Sequence, residues 1–358
     1  MDYVRRRTEI DIALSPSAID AVIVTHMPNV LYLSGFTGSA GVLVAASGRW
    51  VLFTDGRYSE QARAEAVAVR VVVAKGPLIT AAAEWIETRR AKVVGIEADH
   101  MTVSLEATLR RALPKSTRLR KTSGFIEELR VIKDEEEVDR LRAAVDLGDK
   151  ILVPALKVLR PGITEAQVAA EIEYAARERG AQGMSFETIV AGGVRSALPH
   201  GLASRARIPR KGFVVMDFGV ILAHYCSDMT RTVHVGRPSR ADSGLYEAVR
   251  EAQQAAVEAV GPGVEIGKVD EAARSVLRRA GLAKYFTHST GHGVGLEIHE
   301  APRVARGVKQ VLKPGMVITI EPGVYISGRG GVRIEDMVLV TNTGHQVLTK
   351  SPKELMVL

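Results

Sequence analysis

Residues 216–232 read "MDFGVILAHYCSDMTRT". Two acids, Asp217 and Asp228, stand there in or beside apolar sequence, eleven residues apart. The flanking text, "FVVMDFGV" and "HYCSDMTRTVHV", reads as two β-strands with a short link. The midpoint of the two acids falls between Leu222 and Ala223. A two-residue turn at that pair would set Asp217 directly opposite Asp228. Opposed residues share a face, with Cβ atoms about 4.5–5.5 Å apart. Val214, Met216 and Phe218 line one face of the first strand, and Phe213 and Val215 the other, so burial on both sides is expected. Ionised carboxylates buried there without partners are prohibitively costly. Three compensations fit the pair: one acid kept protonated, an ion pair with Arg231, or a divalent cation held by both.

A second pair of acids narrows the choice. "MVITIEPGVYI" (316–326) ends an apolar strand on Glu321, and "GVRIEDMVLV" (331–340) sets Glu335 within another. Taken singly, Glu335 could pair with Arg333 two residues away, and Glu321 could cap an exposed strand end. One shared cause for all four acids is simpler. "HSTGHGVGLEIHE" (288–300) adds His288, His292 and His299 in a glycine-rich loop, where Gly291, Gly293 and Gly295 permit close approach. It is not the HExxH zinc helix. Four carboxylates and an imidazole make a hard ligand set, suited to manganese or cobalt, with zinc also accommodated. Two such ions about 3.5–4 Å apart share a water and polarise a carbonyl, which points to hydrolysis.

Upstream, residues 1–125 alternate apolar β-branched runs ("AVIVTH", "GVLVAA", "WVLFTD", "KVVGIEA") with helical segments. That alternation predicts a separate α/β domain. The polar, basic "KSTRLRKTSG" (115–124) marks its end, so domains of 1–125 and 126–358 are expected. A long helix follows over 133–159, with Pro154 expected to kink or interrupt it. "PGITEAQVAAEIEYAARERGA" (161–181) is then echoed by "PGVEIGKVDEAARSVLRRAGL" (262–282) at an offset of 101. Each copy reads as a turn, a helix and a terminal glycine. The echo predicts two α+β half-domains about a pseudo-twofold axis.

Composition excludes little else. The 358 residues are 46% hydrophobic and 25% charged, as in an ordinary globular protein. No apolar run approaches the ~20 residues of a membrane helix, so no membrane partner is expected. The N-terminus lacks the apolar core of a secretory signal. Cys226 is the single cysteine, which fits a reducing, cytoplasmic setting. The net charge of +7 reads as a basic surface rather than a nucleic-acid face. Its densest run, "RARIPRK" (205–211), lacks the interleaved aromatics of a single-strand binder. Asp55-Gly56 in "TDGRY" is a turn signal; Arg57 and Tyr58 are read as structural, with a contribution to a neighbouring subunit's active site as the alternative. Cys226 is read as packing, since a thiolate would not suit hard ligands.

These segments, with "SALPHG" (196–201), resemble the pita-bread metallopeptidases in order and spacing. The resemblance is to the proline-specific branch of aminopeptidase P and prolidase. "NVLYLSGFTGSAG" (29–41) and "LFTDGRYSEQA" (52–62) resemble that branch's extra domain, so nearly the whole chain is covered. The resemblance implies an α+β fold: a ribonuclease-H-like N-terminal domain, then a curved antiparallel pita-bread sheet with helices on its convex side. It implies Asp217, Asp228, His292, Glu321 and Glu335 as ligands of two divalent ions, with Asp228 and Glu335 bridging. Glu321 would be general base. His200 and His299 would contact substrate and the tetrahedral intermediate, and His288, Tyr325 and Arg333 would line the proline pocket. Homodimers or homotetramers are implied too.

The leading expectation is cleavage between an N-terminal residue and a following proline, as an Xaa-Pro aminopeptidase. A strict Xaa-Pro dipeptidase is the alternative, since the two differ in loops that admit or block residues after proline. Metal-free creatinase-like chemistry and a non-catalytic binding module would both be marked by lost ligands. None is lost here.

Overall fold

The structure is a computed structural model describing residues 1–14 and 18–358. Its two units are Met1–Arg130 and Val131–Leu358. The β-branched runs of the first become six strands, and the segments between them mostly helices. In chain order these are α1 (Tyr3–Leu14), β1 (Ala21–Val24), α2 (Met27–Ser34), β2 (Val42–Ala46), β3 (Arg49–Thr54), α3 (Ser59–Glu65), β4 (Arg70–Val73), α4 (Leu78–Thr88), β5 (Val93–Glu97), α5 (Val103–Ala112), β6 (Arg118–Thr122) and α6 (Glu127–Arg130). The sheet order is β4-β3-β2-β1-β5-β6. β2 is antiparallel to both neighbours, while β1, β5 and β6 run parallel. That is the ribonuclease-H-like arrangement.

This unit ends at Arg130 rather than at residue 125. Asn29 Nδ2 donates to Glu97 and Glu127, and Arg130 Nη1 donates to Asn29 Oδ1. These buried polar groups satisfy one another and hold α6 to the first unit. Arg57 pairs with Asp55, whose side chain accepts from the Arg57 N–H, and the Tyr58 hydroxyl bonds Ser39. Both make local structure.

The second unit opens with α7 (Glu135–Val158), started by a reciprocal cap between Asp134 and Glu137. Pro154 does not interrupt it; the helix runs on to Val158. Then come α8 (Glu165–Glu178), β7 (Gly183–Met184), β8 (Ile189–Gly192), β9 (Gly212–Phe218), β10 (Val220–Leu222), β11 (Tyr225–Cys226) and β12 (Met229–Val235). The second half supplies α9 (Arg240–Glu258), α10 (Ile266–Arg279), β13 (Gly291–Gly293), β14 (Glu300–Val304), β15 (Val317–Ile320), β16 (Gly323–Ile326), β17 (Gly330–Arg333), β18 (Asp336–Val340) and β19 (His345–Val347).

The internal echo is structural. α10 follows α8 at the same offset of 101 at both ends. Gly162 and Gly263 both sit at positive φ, +88° and +80°, where only glycine is unstrained. Their N–H groups donate to the carbonyls of Ile208 and Leu312. Each half lays its helices on antiparallel strands, β12-β9-β8 in one and β14-β13-β15-β18-β19 in the other. One core joins α7 and α8 to Val190, Val214, Met216 and Val233. The other joins α9 and α10 to Ile318, Ile320, Val332 and Val338. No helix among the described residues is long and apolar enough to cross a membrane.

The hairpin register differs from the expected one. Ala223 and His224, not Leu222 and Ala223, occupy the turn, both at positive φ (48° and 69°). A two-residue turn of this kind demands φ > 0 at both positions, and histidine enters that region more readily than leucine. Asp217 therefore faces Thr230, and Asp228 lies diagonally from it. The slip changes the pairing by two residues, so the face is kept.

Candidate metal centre

β9 delivers Asp217 one residue before its end, and Asp228 sits just ahead of β12. Glu321 follows β15, and Glu335 lies in the two-residue step between β17 and β18. His292 is the middle residue of β13. The Glu335 N–H donates to the Thr230 carbonyl, which joins the two halves at this point. The ligand atoms of Asp228, His292 and Glu335 all lie within 4.8 Å of one another. His292 Nε2 is 3.5 Å from both Asp228 Oδ2 and Glu321 Oε1. All five residues line one cavity of about 550 Å³, together with His200, His288, His299 and Arg333.

The neutralising arginine is not the one expected. Arg231 is fully buried but turns away, pairing with Asp336 and donating to the carbonyls of Glu335, Ser351 and Pro352. Arg333 does not pair with Glu335 either. Its Nη2 meets Asp217 Oδ2 at 2.5 Å, its Nη1 donates to the Tyr325 hydroxyl and the Pro199 carbonyl, and its Nε donates to Thr230 Oγ1. One arginine thus faces four acids. Burial, then the charges of Glu335, Asp217 and Glu321, raise the Asp228 carboxyl well above its usual range. Burial and the charges of Glu321 and Asp217 do the same to Glu335. Burial pushes Glu321 up to about 8, against the opposing effect of Arg333.

The residues fit divalent cations on two structural grounds. Asp217 Oδ1 is buried with no hydrogen-bond partner, a costly state for a carboxylate oxygen unless a cation meets it. His292 is held neutral, since burial lowers it to about 4. Its Nδ1 bonds the Gly293 carbonyl at 3.0 Å. That bond puts the proton on Nδ1 and leaves the Nε2 lone pair facing the acids, the tautomer a metal ligand needs.

Supporting groups hold the ligands. Thr230 Oγ1 donates to Glu335 Oε2 at 2.7 Å. The Glu321 N–H donates to the Thr290 carbonyl, and Thr290 Oγ1 donates to Asp270 on α10. Arg274, one turn on, pairs with Asp270 and donates to the carbonyls of Phe286 and His288. Asp270 and Thr290 have no exposed surface. The stripe of Ile266, Val269, Ala273, Val276 and Leu277 gives the sequence signal for Asp270: an acid on the apolar face of a helix.

His200, after Pro199, and His299, ring-to-ring at 4.4 Å with His292, both reach the cavity. Burial, then the charge of His200, lowers His299 below its usual value. Tyr325 does not line the cavity. Its hydroxyl bonds Arg333 and His288 Nε2, so it braces those two groups rather than forming pocket wall. His288 is neutral, lowered to about 4 by burial. Cys226 is buried and its N–H donates to the Gly295 carbonyl. The sequence reading missed Phe186, Glu187, Ile298 and Arg303, which also line the cavity. They stand outside the acid-and-histidine pattern, so only the fold assembles them.

Comparison with known proteins agrees with this geometry. The model of metallopeptidase family M24 matches residues 139–342, and that of the creatinase/prolidase N-terminal domain matches residues 6–132. The chain is 40% identical to an Xaa-Pro dipeptidase of Pyrococcus horikoshii over 344 residues, 96% of each chain. The solved Xaa-Pro dipeptidase from Bacillus anthracis superposes with a TM-score of 0.96 at 41% identity, covering 99% of this chain and 100% of that one. The X-Pro aminopeptidase from Thermotoga maritima superposes at 0.89 with 34% identity, covering 95% and 98%.

Proposed function

The chain belongs to metallopeptidase family M24, and we propose that it is an Xaa-Pro dipeptidase with a dinuclear centre, manganese being the metal best matched to its ligands. The observation that carries the hydrolytic reading is the convergence of Asp217, Asp228, His292, Glu321 and Glu335 on one cavity. The resemblance in the sequence pointed first to the aminopeptidase. The dipeptidase reading is better supported, because relatives 40% and 41% identical over nearly the full length are named for that activity. A feature of the cavity agrees. Arg303 is exposed at its wall, and its guanidinium has no hydrogen-bond or ion-pair partner among the described residues. A dipeptide carries a free carboxylate just beyond the proline ring, and an unpaired arginine suits it. The aminopeptidase remains the second reading, favoured by the likeness to the Thermotoga maritima enzyme.

Asp217, Asp228, His292, Glu321 and Glu335 would hold the cations, with Asp228 and Glu335 shared between them. Bound there, two divalent ions would lower the pKa of a water and polarise the scissile carbonyl. The chain supplies the rest. Glu321 accepts the proton of the attacking water and returns it to the proline nitrogen as the bond breaks. His200 and His299 hydrogen-bond the oxygen on which negative charge develops. Arg333 and Tyr325 fix His288 and the Pro199–His200 turn, and so the space for the proline ring.

The test is hydrolysis of an Xaa-Pro dipeptide against an Xaa-Pro-Xaa tripeptide, with manganese and after chelation. Faster cleavage of the dipeptide, lost on chelation, is expected. A clear preference for the tripeptide would favour the aminopeptidase, and activity untouched by chelation would remove the dinuclear centre.

A further inference from the structure

The cavity wall holds one carboxylate that the ligand set leaves unused. Glu187 lies in the segment leading into β8, is exposed, and has no hydrogen-bond or ion-pair partner among the described residues. Its placement follows from the strand it precedes. Ile189 is the cross-strand partner of Asp217, so its side chain shares the face of that acid. Glu187 and Ile189 line the cavity, whereas Thr188 between them is buried and does not. That alternation is the two-residue period of an extended chain. The row Asp217, Ile189, Glu187 therefore runs from the acids outward. Phe186 and Leu202 flank it with apolar surface.

We propose that Glu187 determines specificity at the N-terminal residue of the substrate, favouring lysine or arginine there. The proposal rests on the Xaa-Pro reading above. In such a substrate the α-ammonium is two bonds from the scissile carbonyl carbon, so it sits among the acids at the inner end of the row. A cationic side chain extends one stem length beyond it. The methylenes of that stem match Phe186 and Ile189, and the charged head reaches the carboxylate at the outer end. Small and neutral residues gain nothing from Glu187. An acidic residue meets a like charge and is disfavoured.

The experiment compares kcat/KM for Lys-Pro, Arg-Pro, Leu-Pro and Glu-Pro in the manganese-loaded enzyme and in Glu187→Gln and Glu187→Lys. Because the pair stays partly solvated, the Lys-Pro to Leu-Pro ratio should fall about two- to fivefold in Glu187→Gln. In Glu187→Lys the Glu-Pro to Lys-Pro ratio should rise. Both effects should shrink with added salt. An unchanged ratio overturns the proposal. So does an equal loss on all four substrates, which would assign the carboxylate to the α-ammonium they share. If the wild type cleaves none of the four, the Xaa-Pro reading itself fails.

Discussion

Thr230 donates its hydroxyl to Glu335 at 2.7 Å, across the seam where the two halves of the second unit meet. The same oxygen accepts from Arg333 Nε at 3.1 Å. One small side chain thereby orients a proposed bridging ligand and the arginine that faces Asp217. Thr230→Val keeps the shape and removes both bonds. Loss of such a supporting bond costs about 10–100-fold in metal affinity. Manganese titration calorimetry should find weaker binding, with much of the activity recovered at excess metal. Unaltered affinity would remove the supporting role.

The crowded acids make a pH prediction. Burial raises Glu321 to about 8 from 4.5, and Asp228 and Glu335 are raised as well. A carboxyl raised in the folded state binds protons there that the unfolded chain has released. Below pH 6.5 the buried neutral histidines His288 and His292 act in the opposite sense, so it is between pH 6.5 and about 8 that the folded, metal-free form holds more protons and loses stability as pH rises. Metal binding needs the carboxylates ionised, so it displaces those protons and strengthens with pH. The chelated protein should melt at a lower temperature at pH 8 than at pH 6.5. Manganese should raise Tm more at pH 8. Calorimetric scans at both pH values, with and without metal, check this; a chelated Tm independent of pH would contradict the electrostatic picture.

Much of this site was legible because strands that must be buried advertise their acids. Asp217, Asp228, Glu321 and Glu335 stood out against apolar neighbours, and the 101-residue echo gave the two-half architecture. What escaped was long-range or a matter of one residue. The turn in "ILAHYC" slid by one position because the φ > 0 tolerance of His224 outweighs a symmetric placing of the acids. Arg333 could not be matched with Asp217, 116 residues away in sequence. On one strand, 333 and 335 would share a face, but β17 ends at Arg333 and β18 begins at Asp336. The step between them points the two side chains to different partners. Arg303 and Glu187 carry no local pattern; only the packing of the two halves makes them neighbours of the site.

The Asp270–Arg274 pair gives a test of positioning from behind the site. Arg274 Nη2 holds the His288 carbonyl at 2.6 Å, and Asp270 holds Thr290, whose carbonyl takes the Glu321 N–H. Arg274→Lys keeps the charge opposite buried Asp270 but cannot reach both the Phe286 and His288 carbonyls. Hydrogen bonds to charged groups are worth about 1.5–3 kcal/mol each, so the 286–290 loop should loosen. The expected result is a fall in kcat/KM of about tenfold with a smaller change in Tm. Equal kcat/KM for the variant and wild type would show that the pair serves stability alone.

Arg303 separates the two enzymatic readings most directly. If its guanidinium pairs with the carboxylate of a bound dipeptide, truncation should weaken that substrate and spare one without the charge. The pair would sit at an exposed wall, so its worth is well below that of a buried ion pair. Arg303→Ala should raise KM for Ala-Pro by about three- to fivefold, since an exposed charged pair contributes up to about 1 kcal/mol. KM for Ala-Pro-amide, which lacks the carboxylate, should move little, and kcat for both should be close to wild type because the scissile bond lies at the other end of the proline. Parallel losses on the two substrates would mean that Arg303 shapes the cavity rather than reads the carboxylate, and the case for a dipeptidase would then lose its support from the cavity wall.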